Sequence, residues 1–433
     1  MSGGLLTLLC LAASAVGFAF WARRDLANPL VVNYSQEHRR FRTLGSKVGL
    51  SLFALLLVSA PVGFSWIGVG KLHLPHALIP GLPLNEKWLY VGILAAVYTI
   101  GAIGMNLLIG NTGQVSLGHS GFIALGAYST GYFGVDFKPF GRHIPSVLWL
   151  VIAAVLGALI GAVIGPFALR LRGNYLAMVS ILLVVGAQHV AKNWISLTGG
   201  DAAPRNDLPP FSLTVWPGKT ILFKDGSDSN FFDHFFPTST AAYFWLSWAI
   251  AIVAIVLGRN LLRGRQGRAM MAVRDRDLSA EIIGVRQMYT KTWAFAISGG
   301  FAALAGAVYA SYLGTVQPAS FALDFSILFI VMIVIGGVGS VYGSVLGAIT
   351  VAVLKDVIDY FQGSLANIPG IQLDPSKNGV TLDVLSSLIY GFLLIIFLMY
   401  VPTGLAGLWA RMRRYLASWP FPSKRFSLPL TYL

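Results

Sequence analysis

The chain is poor in the residues that carry chemistry in water. It has a single cysteine, Cys10, set in an apolar run, which excludes a disulfide framework and any cysteine-based metal site. Its seven histidines are scattered, with no H-E-x-x-H among them, so the sequence predicts no metal centre. No G-x-x-x-x-G-K-[ST] phosphate loop is present: Lys219-Thr220 follows the lone Gly218, preceded by Pro217. The chain therefore carries no ATP-hydrolysing loop of this kind and is predicted to bind no cofactor. No apolar run holds paired carboxylates, since Asp136 and Asp324 fall at the edges, and this disfavours a proton relay. Charge itself is scarce, at 11% of residues, against roughly 25% in soluble domains.

Hydrophobic residues make up 56% of the chain, in continuous runs rather than alternation. Runs of about 18 residues or more cross a bilayer as helices, whereas barrel strands alternate. The sequence thus predicts an all-α polytopic integral membrane protein. The candidate spans are 5–21, 48–69, 88–109, 117–135, 145–169, 174–190, 242–258, 292–313, a stretch within 321–361, and 385–401. Three segments are basic: 22–47 with six Lys/Arg against two acids, 259–291 with eight against three, and 402–433 with five against none. These are predicted to be cytoplasmic, as is the short link at Arg170 and Arg172. Segments 191–241 and 355–384 balance or invert the charge and read as external. The +14 net charge is thereby assigned to loops facing the cytoplasm, and no nucleic-acid partner is implied. Segment 5–21 is followed rather than preceded by Arg23 and Arg24, which favours a retained helix, N-terminus out and C-terminus in.

Loops 314–320 and 355–384 both fall outside, so the stretch between them must cross an even number of times. Its middle reads IGGVGSVYGSVLG, and the expectation is two half-spans hinged near Gly336, Gly337, Gly339 and Gly343, or a re-entrant loop there. The total is about ten to eleven segments. Three domains follow: an N-terminal extension over 1–85, a membrane domain over 86–410, and a basic tail over 411–433. Gly157, Gly161 and Gly165, each four apart, line one helix face for close packing, either inside the chain or against a second membrane subunit. Ala302, Gly306 and Ala310 repeat the device. Segment 110–134 carries seven glycines amid polar residues, of which Gln114, Ser116, His119, Ser120 and Tyr128 are candidates to line a path. The alternative is that they serve helix–helix hydrogen bonds.

Segment 259–291 alternates Met270, Val273, Leu278, Ala280, Ile282 and Ile283 with Arg274, Asp275, Asp277 and Glu281. The pattern predicts one or two amphipathic helices off the membrane, the second capped by Asp277 and stopped at Gly284. A solvated basic loop and a docking element for a cytoplasmic partner are both open on this pattern.

Several phrases in order, GNTGQVSLGHSGFIALGAY (110–128), LRLRGNYLAMVS (169–180), LTGG (197–200), GRAMMAVRDRDLSAEIIGV (267–285) and GGVGSVYGSVLGA (336–348), resemble the LivM-type permease family of branched-chain amino acid ABC importers. The urea-import permeases of the same superfamily are similar at these positions, and a stand-alone secondary carrier is the further alternative. The resemblance implies a non-enzymatic transport subunit in the bacterial inner membrane. It also implies a homologous second permease subunit, two cytoplasmic ATP-binding subunits that use ATP, and a periplasmic substrate-binding protein. Arg274, Asp275, Asp277, Ala280, Glu281 and Gly284 then correspond to the ATPase-coupling segment.

Overall fold

The computed structural model describes residues 87–137, 144–167, 174–200, 205, 208–209, 211–216, 219–222, 239–360, 388, 391–392, 395, 399 and 404–409. The spans predicted at 5–21 and 48–69, Cys10, the link at Arg170 and Arg172, and the tail 411–433 lie outside these residues. The span predicted at 385–401 is described only at Leu388, Gly391, Phe392, Ile395 and Met399, all helical. One compact unit covers Glu86–Ala406 and holds every feature below; a second comprises Met1–Asn85 and Gly407–Leu433.

In chain order the elements are α1 (Lys87–Thr112), α2 (His119–Gly131) with a π turn at Tyr132–Asp136, α3 (Ser146–Ile164), α4 (Asn174–Asn193) and the short α5 (Ile195–Thr198). A hairpin of β1 (Ser212–Trp216) and β2 (Lys219–Leu222) precedes α6 (Ser239–Arg263), α7 (Arg265–Asp275), α8 (Asp277–Ile282) and α9 (Gln287–Leu313). A 3-10 turn at Pro318–Phe321 leads to α10 (Leu323–Gly336) and α11 (Val341–Tyr360). The all-α expectation holds for the membrane part, and the polar loop adds the antiparallel hairpin, in which Ser212 pairs with Leu222.

Among the described residues five helices are long and apolar enough to cross a membrane: Trp88–Thr112, Ser146–Ile164, Tyr175–Asn193, Tyr243–Arg263 and Gln287–Leu313. The pair α10 and α11 bends by 118° at a break from Gly337 to Ser340, inside the predicted hinge. A bend that large returns the chain toward the side it came from. Segment 117–135 differs from its prediction. The run reads as one span, but helix begins only at His119, after an irregular stretch from Gly113 to Gly118. Gly113, at φ +70, ends α1, its N–H donating to Ile109 O at 3.1 Å. His119 Nε2 lies 2.9 Å from Gly101 O, about three helical turns before α1 ends. Thus α2 starts deep in the bundle.

Two helices form the core. Most of α1 is buried on all sides, and α9 packs against α3, α2 and α1. Glycine sets these distances. A Cβ on Gly126 would lie 1.9 Å from Ala303 O, and one on Gly306 would lie 2.0 Å from Ile123 O, so α2 and α9 touch backbone to backbone. The stripe Gly157, Gly161 and Gly165 meets Gly299, Phe295 and Thr292 of α9, which places this groove inside the chain. Outward, α3, α4 and α6 expose Val155, Leu159, Met178, Leu182, Val253 and Leu257, an apolar surface suited to lipid.

These contacts predict opposite outcomes for two alanine substitutions. Gly126→Ala should cost about 1–3 kcal/mol through overpacking, read as a lower thermal midpoint in detergent. Gly186→Ala, with nothing within 4 Å of its would-be Cβ, should leave the midpoint unchanged or raise it. Equal effects would contradict this packing scheme.

Candidate functional site

Each helix break in the bundle frees backbone groups, and the structure shows which side chains take them. At the α10–α11 break, Asn106 of α1 donates from Nδ2 to Ser340 O at 2.8 Å and to Ser344 Oγ at 2.7 Å. Its Oδ1 accepts from Gly339 N at 2.7 Å. One carboxamide thus substitutes for the missing turn. Gly337 and Gly339 hold φ of +124 and +85, which other residues rarely adopt. A Cβ on Gly404 would lie 2.5 Å from Gly337 Cα, so the chain also closes on the hinge from that side. The sequence signal for Asn106 is a lone amide in the run AIGMNLLIG, which the motif reading passed over.

The starts of α2 and α10 meet inside the bundle. Ser120 N donates to Ser326 Oγ at 2.8 Å, and Ser326 Oγ donates to Ser120 Oγ at 2.8 Å. The His119 ring lies 5.0 Å from that of Phe329. His119 and Ser120 therefore spend their polar atoms on Gly101 of α1 and Ser326 of α10. These are bonds between helices.

A cavity of about 470 Å³ runs between α2, α3 and α4. Of the five candidate path residues, Ser116 and Tyr128 border it; its walls are otherwise mostly apolar, with Leu125, Ile164 and Leu183 among them. Ser180 Oγ accepts from Leu117 N at 2.7 Å and fixes the irregular stretch at the cavity wall. Gln114 is 6% exposed, and neither atom of its amide has a hydrogen-bond partner. An unsatisfied buried amide costs free energy, so its retention needs a reason.

At the end of the bundle where α1 stops, α7 seats Met270 against Leu108, Leu176, Ala294 and Phe295. Arg274 Nη1 donates to Gly110 O at 2.6 Å, while Asp275 closes α7 exposed. Two helices form here, as the alternation predicts. The predicted cap does not: Asp277 is the first residue of α8, behind Arg276, and makes no capping bond. Instead Asp277 Oδ2 accepts from Lys291 Nζ at 3.0 Å, because α9 brings a cation within reach. Glu281 Oε2 accepts from Gln287 Nε2 at 3.1 Å, and Ala280 is buried. Gly284, at φ +87, ends α8 with paired bonds, Gly284 N to Glu281 O and Val285 N to Ala280 O. The apolar residues Leu278, Ile282 and Ile283 face outward, 70%, 86% and 73% exposed. At the other end Arg205, from the polar loop, pairs with Asp136 Oδ2 at 2.6 Å and bridges to Val316.

Helices broken within a multi-pass bundle, beside an apolar cavity and a helix pair with an uncovered apolar face, are the architecture of a membrane permease. The chain belongs to the family of permease components of branched-chain amino acid transport systems, whose model matches residues 88–398. It is 29% identical to the high-affinity branched-chain amino acid transport system permease protein LivM of Escherichia coli (strain K12) over 298 residues. That match covers 65% of this chain and 66% of the relative. LivM of Salmonella typhimurium is 28% identical over 294 residues, again 65% of this chain and 66% of the relative. LivH of the same organism is 24% identical over 346 residues, 75% of this chain and 98% of the relative. No solved structure matches the chain.

The unpaired amide makes a stability prediction. Gln114→Leu removes a buried group worth about 1–3 kcal/mol in lost solvation and should raise the thermal midpoint of the detergent-solubilised chain. A lower midpoint would mean that the amide does have a stabilising partner.

Proposed function

We propose that the chain is a membrane-spanning subunit of an ATP-driven importer for branched-chain or related amino acids, acting in a bacterial inner membrane. A second, homologous permease subunit completes the pathway. Family membership supports this assignment, and similarity to both LivM and LivH supports a paired permease. Two ATP-binding subunits act from the cytoplasm, and a periplasmic protein delivers the substrate. The names of the matched relatives favour branched-chain amino acids over urea. We assign the basic segments to the cytoplasm, giving N-out and C-in. The gathering of α7, α8 and the Gly337–Ser340 hinge at one end, with Arg205, Asp136 and Val316 at the other, is consistent with that orientation.

The observation that carries the reading is the α8 surface. Leu278 and Ile282 of the six-residue α8, and Ile283 just past its end, stand in the open, held in place from behind by Ala280, the Asp277–Lys291 pair and the Glu281–Gln287 bond. Apolar side chains so displayed call for a protein cover. An ATP-binding subunit supplies one, and Arg274, Asp275, Asp277, Ala280, Glu281 and Gly284 form or support the coupling segment. On the substrate route, Ser116 and Tyr128 offer polar groups along an apolar wall, Gln114 keeps a buried amide unspent in the irregular stretch beside them, and His119 and Ser120 hold the breaks in register. An amino acid with a branched apolar side chain suits such a surface.

Ile282→Asp with Ile283→Asp should abolish co-purification of ATP-binding subunits, while amount in the membrane and thermal midpoint stay unchanged. Undiminished capture would overturn the docking assignment. Gln114→Leu should separately lower ATP-driven uptake even as it stabilises the chain. Undiminished uptake would remove Gln114 from the route.

A further inference from the structure

We infer that Arg274 is a positioning residue that ties the α7–α8 pair to the glycine hinge between α10 and α11, so that a displacement of the pair reaches the hinge directly. Its role in transport rests on the importer reading above. The contact is continuous. Arg274 Nη1 donates to Gly110 O at 2.6 Å, in the last turn of α1, where a helix presents its negative end to a cation. A Cβ on Gly339 would fall 3.0 Å from that same Nη1 and 3.4 Å from Gly110 O. One guanidinium nitrogen therefore lies against both the end of α1 and the hinge backbone. A Cβ on Gly113 would meet Arg274 Cγ at 3.5 Å, so the turn after α1 closes over the arginine stem. From the hinge, Gly339 N and Ser340 O are bound by Asn106, one turn before Gly110 in α1.

The glycines explain themselves in this arrangement. A Cβ on Gly110 would lie 2.0 Å from Asn106 Oδ1 and 2.5 Å from Gly339 N, so any side chain there would push hinge, amide and helix end apart. A plain helix cap would need none of this closeness to the hinge. Motion of α7 relative to α1 has two recipients: the carbonyl that Arg274 holds and the strand of backbone beneath it. The first belongs to the end of α1, and the second to the hinge, whose bend is set by two positive-φ glycines.

The test reads the hinge itself, in the full chain in its native membrane with its natural partners. The lone cysteine is removed by Cys10→Ser, and a thiol is placed at the exposed hinge residue by Val338→Cys. The rate of alkylation by a membrane-permeant maleimide is then followed. Arg274→Ala and Asn106→Ala should each raise the rate about tenfold, within the usual range of coupling between sites. The double variant should exceed neither by much, because both act on the same hinge backbone. Arg274→Lys, which keeps charge and a donor, should fall between, and the exposed neighbour changed in Arg276→Ala should match the parent. Arg274→Ala should still capture ATP-binding subunits while ATP-driven uptake falls about tenfold. An unchanged alkylation rate in Arg274→Ala, or fully multiplicative effects in the double variant, would overturn the link. Loss of ATPase capture in Arg274→Ala would also overturn it, by making Arg274 a docking residue. If the parent chain itself captures no ATPase, the importer reading fails, while the alkylation series still decides the link.

Discussion

The structure depends on one requirement: a backbone that breaks its helix inside a membrane must find every freed hydrogen bond within the protein. Among the described residues two breaks stand out, and each is sealed by a short polar side chain from a distant helix. Asn106 closes the gap at Gly339 and Ser340, and the Ser120–Ser326 pair closes the gap where α2 and α10 begin. His119 anchors the second break to Gly101. With these bonds the interruptions are fixed features of the bundle; without them each would leave unpaired groups in an apolar interior.

Glycine supplies the other half of the arrangement. On α9 and its neighbours it lets helices meet at backbone distance, and this holds α2 and α3 against a single central partner. At the hinge it does two further jobs, permitting positive φ and leaving room for Asn106 and Arg274 to reach the main chain. The same residue type thus makes rigid contacts along α9 and a bend at residues 337–340. The chemistry around it separates these uses: carbonyls and methyl groups in the first case, hydrogen-bonding side chains in the second.

Much of the fold is legible in the sequence, because continuous apolar runs bounded by charge define crossings over 88–109, 145–169, 174–190, 242–258 and 292–313. The hinge was legible through parity, since loop charges demanded an even number of crossings and glycine showed where the chain could turn. The helix pair was legible through alternation over 265–283. The late start of α2 is not marked in the sequence, because Gly and polar residues are spread evenly over 110–134 and none of them singles out His119 as the first helical position. Asn106 could be noticed as a lone amide, but its partner lies more than two hundred residues away. The role of Asp277 changed for a similar reason: the nearest charge partner is Lys291, on the next long helix rather than at its own helix start. Amphipathic spacing also located Leu278, Ile282 and Ile283 without saying that the chain leaves them uncovered. What local pattern cannot reveal here is pairing across the bundle, and the polar part of the site consists largely of such pairs.

The central claim is that these breaks serve an importer whose energy comes from partner subunits. It is tested most directly by uptake into proteoliposomes that hold either the purified complex with its binding protein or this chain alone. The account predicts uptake of labelled leucine only by the complex, only with ATP inside reach of its cytoplasmic face, and competed by isoleucine or valine but not by urea. Uptake by the chain alone, without ATP, would contradict it.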